Sequence, residues 1–246
     1  MKLFFRFISL MTLLLAFTVQ AAGPVRFGLH LSAPWSFYND TKELDGIEYQ
    51  LVSRIFSRAG FKVEYELHSY SRLLKQFSDK KLDCASPVAV PVAGASYTLP
   101  YLPFEDVVIS LASSSAEISS LQQLAGKRIV AYQQALQVLG AEFRAAVANA
   151  NYLELADRAL QLELLFSNRV DLVIGERRVL HYLANKTAPQ LALQTHHLFT
   201  EKNYPAACWD PALRDVFNRG LELLQLSGEL SDILQQYNHQ AAIGTE

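Results

Sequence analysis

Cysteine is nearly absent from this 246-residue chain: Cys84 and Cys208 are the only two, so no Cys-x-x-Cys pair exists and a dithiol redox motif is excluded. There is no His-Glu-x-x-His, no Gly-x-Ser-x-Gly and no Gly-rich phosphate loop, which removes the usual metalloprotease, serine-hydrolase and nucleotide-binding signatures. Basic residues are not in excess, with 22 Lys and Arg against 24 Asp and Glu, so nucleic acid has no electrostatic footing as a partner. His196-His197 lacks a third ligand at helical spacing, and neighbours on an extended segment point opposite ways, so no metal is expected there. Ser113-Ser114-Ser115 has no partnered base in view and reads as a linker. No internal repeat, low-complexity tract or cofactor motif stands out.

Long apolar runs are also missing, except at the N-terminus. There Lys2 and Arg6 precede Ile8, Leu13, Leu14, Leu15 and Phe17, and Val19-Gln20-Ala21 supplies the small-x-small pattern of a cleavage site. A secretory signal peptide over residues 1–22 is expected, with a retained anchor as the alternative. No cysteine at the cleavage site marks a lipoprotein. Its removal takes two cations and no acid, so the net charge moves from −2 to −4. No later segment is long enough to cross a bilayer. The expectation is an exported, periplasmic chain that builds one large core or two moderate ones.

What is present is an alternation of short β-rich runs with segments of helical period. "VRFGLHL" reads as a strand; "IEYQLVSRIFSRAG" sets Ile47, Leu51, Ile55 and Ala59 on one stripe, with Gly60 to end it. "FKVEYEL", "SRLLKQFSDKK" and the almost all-apolar "LDCASPVAV" continue as strand, helix and buried strand, an order that implies a parallel sheet covered by helices. Ala112 to Ser120 is small and polar and reads as a connector. A second α/β unit follows: strand "KRIVAYQ", helices over Ala135 to Ala148 and Leu155 to Ser167, strand "RVDLVIGE" and helix "RRVLHYLAN". "YPAACW" is strand-like, and Asp210-Pro211 opens a helix that Gly228 stops.

Four of these stretches, in this order, resemble the family 3 periplasmic solute-binding proteins, which include the polar amino-acid binders of ABC importers. They are the opening with Pro34-Trp35 and Gly46-Ile47, "LAGKRIVAYQ", "LLFSNRVDLVIGERRVLHYL" and "DPALRDVFNRGLELLQLSGELSDILQQY". The resemblance implies a type II, two-lobed α/β fold that closes around a ligand in the cleft. It divides the chain into residues 23–111 (lobe 1), 112–197 (lobe 2) and 198–246 (return to lobe 1), with hinge crossings near Ser110 to Ser113 and His197 to Thr200. It also lays "DCASPVA" beside "YPAACW", so a Cys84–Cys208 disulfide is implied, with two buried thiols as the alternative.

In amino-acid binders of the family, the segment matching Asp83 to Tyr101 supplies hydroxyl or amide contacts, including the place of Ser86, and then an arginine that clamps the ligand carboxylate. Here no charge stands between Asp83 and Tyr101. The family's hydroxyl-bearing second-lobe loop corresponds to Gln133 to Gln137, which offers amides. Glu176 falls where the family receives the ligand's amino group; its alternative is to cap the next helix or pair with Arg177 or Arg178. Trp35 is placed as an aromatic wall for a cation or ring, or else as core packing. His30 and Tyr132 are candidates for ligand contact or for ordinary packing. The ligand site is therefore expected at His30, Trp35, Ser86, Tyr132, Gln133, Gln137 and Glu176, without a cofactor.

The expected function is non-catalytic capture of a small polar or cationic solute by a monomer, for an inner-membrane ABC permease or a sensor. Two alternatives stay open: an enzyme like cyclohexadienyl dehydratase, using Glu176, His30 or Glu48, and an accessory module whose cleft is filled by Pro87 to Gly94.

Overall fold

The computed structural model of the chain describes residues 23–114 and 117–242, with side chains to Tyr237. The expected signal peptide and Ser115 lie outside these residues. Among them no helix is long and apolar enough to cross a membrane.

The first half of the chain forms β1 (Val25–His30), β2 (Phe37–Tyr38), β3 (Leu44–Asp45), α1 (Ile47–Arg58), β4 (Val63–His68), α2 (Tyr70–Ser78), β5 (Cys84–Ser86), β6 (Ser96–Tyr97), β7 (Leu102–Phe104) and β8 (Asp106–Leu111). Then come β9 (Arg128–Tyr132), α3 (Ala135–Val138), α4 (Ala141–Ala146), β10 (Asn151–Leu155), α5 (Arg158–Phe166), β11 (Leu172–Glu176), α6 (Arg177–Thr187) and β12 (Leu193–His196). The return consists of β13 (Lys202–Tyr204), β14 (Ala207–Cys208), α7 (Pro211–Leu226) and α8 (Glu229–Ala242).

These strands make two five-stranded sheets, ordered β4-β1-β5-β14-β6 and β10-β9-β11-β8-β12. In each, three strands run parallel through βαβ crossovers and a fourth is antiparallel to them: β14, which returns from lobe 2, in the first sheet, and β8, which enters it, in the second. Both faces of each sheet are covered at its centre, which is why the inner strands β1, β8 and β11 are almost wholly buried, whereas the edge strands β4 and β10 alternate. In lobe 1, Phe27 and Leu29 pack with Leu51, Ile55, Phe217 and Leu221 of α1 and α7. On the other face Leu73 and Phe77 of α2 meet Ala85 and Ala207. In lobe 2, alternate residues of β8 face opposite ways: Val108 joins Ile129, Phe143 and Ile174, whereas Val107 and Ile109 join Leu162, Leu165 and Leu180. The chain is thus a two-lobed α/β protein.

Strand pairing moves the lobe boundary. The division of residues 23–111 from 112–197 put Asp106–Leu111 in lobe 1, but β8 pairs with β11 and β12 and belongs to the second sheet. The crossing lies instead at an antiparallel ribbon of β7 and β13, Leu102↔Tyr204 to Phe104↔Lys202. The physical reason is that apolarity does not change across the hinge, so nothing in composition marks it; Ala112–Ser114, directly after Leu111, form a helical turn that continues from β8 inside lobe 2. Two element boundaries also shift. The helix expected over Ala135 to Ala148 is divided at Gly140, whose φ of 90° is a left-handed backbone that breaks the run. The helix expected from Leu155 starts at Arg158 behind an Asp157 cap, and Leu155 ends β10, a strand absent from the sequence reading.

Cys84 and Cys208 are cross-strand partners on β5 and β14 and form a disulfide. The implied pairing is therefore present, and the alternative of two buried thiols does not hold.

Candidate ligand cleft

A cavity of about 50 Å³ lies where the two sheets' strand ends meet the hinge. Lobe 1 contributes His30, Ser32, Tyr70, Pro87 and Ala89; the hinge ribbon contributes Phe104 and Tyr204. Lobe 2 contributes Asp106, Tyr132, Val138, Arg158 and Glu176. The parallel strands β1, β9 and β11 all end here, so His30, Tyr132 and Glu176 arrive as the last residues of their strands. Ligands of open α/β sheets bind at such carboxyl ends.

Glu176 is 6% exposed and works at two ends. Its Oε2 accepts the Val179 amide at 2.9 Å, capping α6, and the Trp35 indole N–H from the other lobe at 3.0 Å. Its Oε1 has no hydrogen-bond partner, although Arg178 Nη1 stands 3.7 Å away. Burial pushes its carboxyl up to about 7, against the Trp35 and Val179 hydrogen bonds. Asp106 accepts from the Tyr132 hydroxyl at 3.0 Å, and burial raises it to about 6.

Arg158 supplies the cation. It is the first residue of α5, its Cζ lies 5.0 Å from the Tyr132 ring centroid, and its Nη1 is buried without a hydrogen-bond partner. As a whole residue it is partly exposed; the sealed part is the guanidinium tip. Burial lowers it to about 10, which leaves it charged at neutral pH. His30 is lowered to about 3 by burial and then by Arg158, so it is a neutral imidazole. The Tyr204 hydroxyl is the third buried polar atom here without a partner. An orphaned buried polar group costs about 1–3 kcal/mol, and three such atoms stand on this one cavity.

Three of the expected site residues, His30, Tyr132 and Glu176, thus line the cavity. The other four do not. Trp35 is 1% exposed and no ligand can stack on it, because Phe104 lies parallel to it at 4.5 Å and the Arg178 guanidinium covers it at 5.4 Å. Ser86 turns away from the cavity to share a 2.7 Å hydrogen bond with the Tyr101 hydroxyl, although the next residue, Pro87, lines it. Gln133 sits on the rim, where its Oε1 accepts the Ser71 amide across the cleft at 3.5 Å. Gln137 is exposed. The loop amides of Gln134 and Leu136 are taken by Glu154, at 2.8 and 2.9 Å. His196 and His197 go to separate partners, Ser110 and Glu105.

Arg158, Asp106, Tyr70 and Tyr204 were not expected. For Arg158 a signal was available: a cation at the first turn of a helix opposes the macrodipole and needs a local reason.

The chain over residues 25–240 matches the model of the bacterial extracellular solute-binding proteins, family 3. It is 26% identical over 209 residues to a probable amino-acid ABC transporter-binding protein of Haemophilus influenzae, covering 82% of this chain and 79% of that one. In fold it is similar to an amino-acid ABC transporter substrate-binding protein of Streptococcus pneumoniae solved with L-arginine: TM-score 0.76, 22% identity, 89% of this chain and 96% of that one. It is also similar to an ancestral amino acid-binding protein described as a precursor of cyclohexadienyl dehydratase, with TM-score 0.72, 17% identity and coverage of 87% and 95%. With the match spanning nearly all of the described residues and the two-lobed fold in agreement, the chain belongs to the bacterial extracellular solute-binding proteins, family 3.

Proposed function

We propose that this chain, as a periplasmic monomer, captures a small polar solute in the interlobe cavity and hands it unchanged to an inner-membrane ABC permease. The observation that carries the reading is the cavity lined from both lobes and the hinge, with Arg158 Nη1, Glu176 Oε1 and the Tyr204 hydroxyl on its walls without hydrogen-bond partners. Closure over a solute removes it from water and strengthens each polar contact. Amino acids are the first class to test, because the Haemophilus relative is named for them.

The experiment is a thermal-shift screen of the mature protein against amino acids, amines, sugars and small carboxylates. At least one class raises the melting temperature, since a ligand at 100 times its Kd adds about 2.7 kcal/mol to folded-state stability. Mass spectrometry of the recovered compound then separates capture from turnover. No stabilisation by any compound would refute capture, and recovery of an altered compound would make the protein an enzyme.

A further inference from the structure

We infer that Arg158 is the anion-holding residue of the cleft, so that lobe 2 alone grips both charged ends of a zwitterionic ligand and lobe 1 serves as its cover. This rests on the capture reading above and names the ligand chemistry of the same site.

Among the described residues Arg158 is the sole Arg or Lys on the cavity wall, and neutral His30 does not compete with it. The charge-free stretch between Asp83 and Tyr101 offers no lobe 1 cation. The second-lobe loop amides of Gln134 and Leu136 are no substitute, because Glu154 already occupies them. A guanidinium is suited to a carboxylate: it is planar, permanently charged and presents parallel N–H groups, and here Tyr132 supports one face while Nη1 lacks a partner. The complementary end is Glu176 Oε1 on the same lobe, which lacks a hydrogen-bond partner, has only the Arg178 ion pair at 3.7 Å beside it, and suits an ammonium group.

From lobe 1 the cavity receives, among the described residues, only Ser32, Tyr70, Pro87, Ala89 and uncharged His30. These groups can enclose a ligand but cannot neutralise it. The ligand therefore docks on lobe 2, and lobe 1 closes through the Trp35–Glu176 hydrogen bond. The remaining wall is Asp106, already engaged by the Tyr132 hydroxyl, and Tyr204, together with the close apolar groups Pro87, Ala89, Phe104 and Val138. The ligand class is an α-amino acid with a compact uncharged side chain.

The test is calorimetric titration of the full mature chain with the twenty standard L-amino acids, then with the carboxamide and the deamino acid of the tightest binder. The wild type prefers the acid over its carboxamide by at least 30-fold, and the deamino acid is similarly weak. In Arg158→Met the preference for acid over carboxamide collapses towards unity, and Arg158→Lys retains part of it. A merely structural arginine would weaken both compounds alike and leave their ratio unchanged, and that result overturns the inference. So does a wild type that binds acid and carboxamide equally, or one that binds only a compound lacking a carboxylate; either leaves capture intact. If no compound of the broader thermal-shift panel binds, capture and the inference fall together. Matching circular dichroism of the two variants and the wild type guards against misfolding, with Arg158→Lys the measure if Arg158→Met does not fold.

Discussion

At Trp35 one side chain ties the first lobe to the second: its ring packs on Phe104 of the hinge, and its N–H reaches Glu176 across the cleft. Trp35→Phe keeps the ring stack and deletes the hydrogen bond. A buried hydrogen bond to a carboxylate is worth about 1.5–3 kcal/mol, so ligand affinity should fall by about 10- to 100-fold. The loss should appear as faster dissociation in stopped-flow measurements, because the contact holds the two lobes together across the cleft. A second buried acid, Glu48, lies at the base of the same loop. It accepts hydrogen bonds from the Tyr101 hydroxyl at 3.2 Å and from Ser36 at 3.3 Å, and burial raises it from 4.5 to about 7. Between those values the folded state keeps a proton that the unfolded chain has released, so this group's stabilisation is full below about 4.5 and is lost as pH rises to about 7. Glu48→Gln stays neutral, so urea melts should show the variant gaining on the wild type as pH increases, by about 1–3 kcal/mol at pH 8. A wild-type advantage that grows with pH would contradict a neutral Glu48.

The loop that carries Trp35 is joined to the start of α1. Pro34 and Trp35 carbonyls accept the Ile47 and Glu48 amides at 3.0 and 2.8 Å, so the helix is capped by backbone rather than by a side chain. Gly46 makes this approach possible: its φ is 119°, and a Cβ there would stand 2.3 Å from the Trp35 carbonyl oxygen. Gly46→Ala should therefore cost about 2 kcal/mol or more and displace Trp35, visible as a lower denaturation midpoint together with altered indole fluorescence. Sequence pattern revealed α1, α2, α6 and α7 because each has a clear apolar stripe or stop signal. It missed β10, whose "NYLEL" lies partly exposed at a sheet edge, and it missed the correspondence between the lobes. In lobe 1 the Asp83 carboxylate takes the backbone and side-chain N–H groups of Arg26; in lobe 2 Asp171 does the same for Arg128. Each pair fixes the start of the sheet's central parallel strand. Two shared residue types are too little for a repeat to be legible. The site was half legible for a similar reason. His30, Tyr132 and Glu176 follow from strand ends, whereas Arg158 approaches from a helix whose position depends on the whole second lobe.

Across the whole molecule the chain enters lobe 2 through β7 and leaves through β13, so lobe 2 is an insertion between the two halves of lobe 1. The Cys84–Cys208 disulfide joins those halves over a sequence separation of 124 and encloses the entire insertion. Closing a loop of that length in the unfolded chain removes conformational entropy worth about 4–5 kcal/mol in the chain-entropy picture. The tie acts on β5 and β14, adjacent strands at the centre of lobe 1, and no strand of lobe 2 takes part. Replacing both cysteines by alanine should thus lower stability by about 2–5 kcal/mol while leaving the second sheet intact. Amide hydrogen exchange should rise in β5, β6, β14 and α7, which depend on the returning segment, and change least in β8, β9 and β11. Equal acceleration in both lobes would mean that they unfold as one cooperative unit, with the hinge ribbon and the Trp35–Glu176 contact coupling them more tightly than their separate sheets suggest.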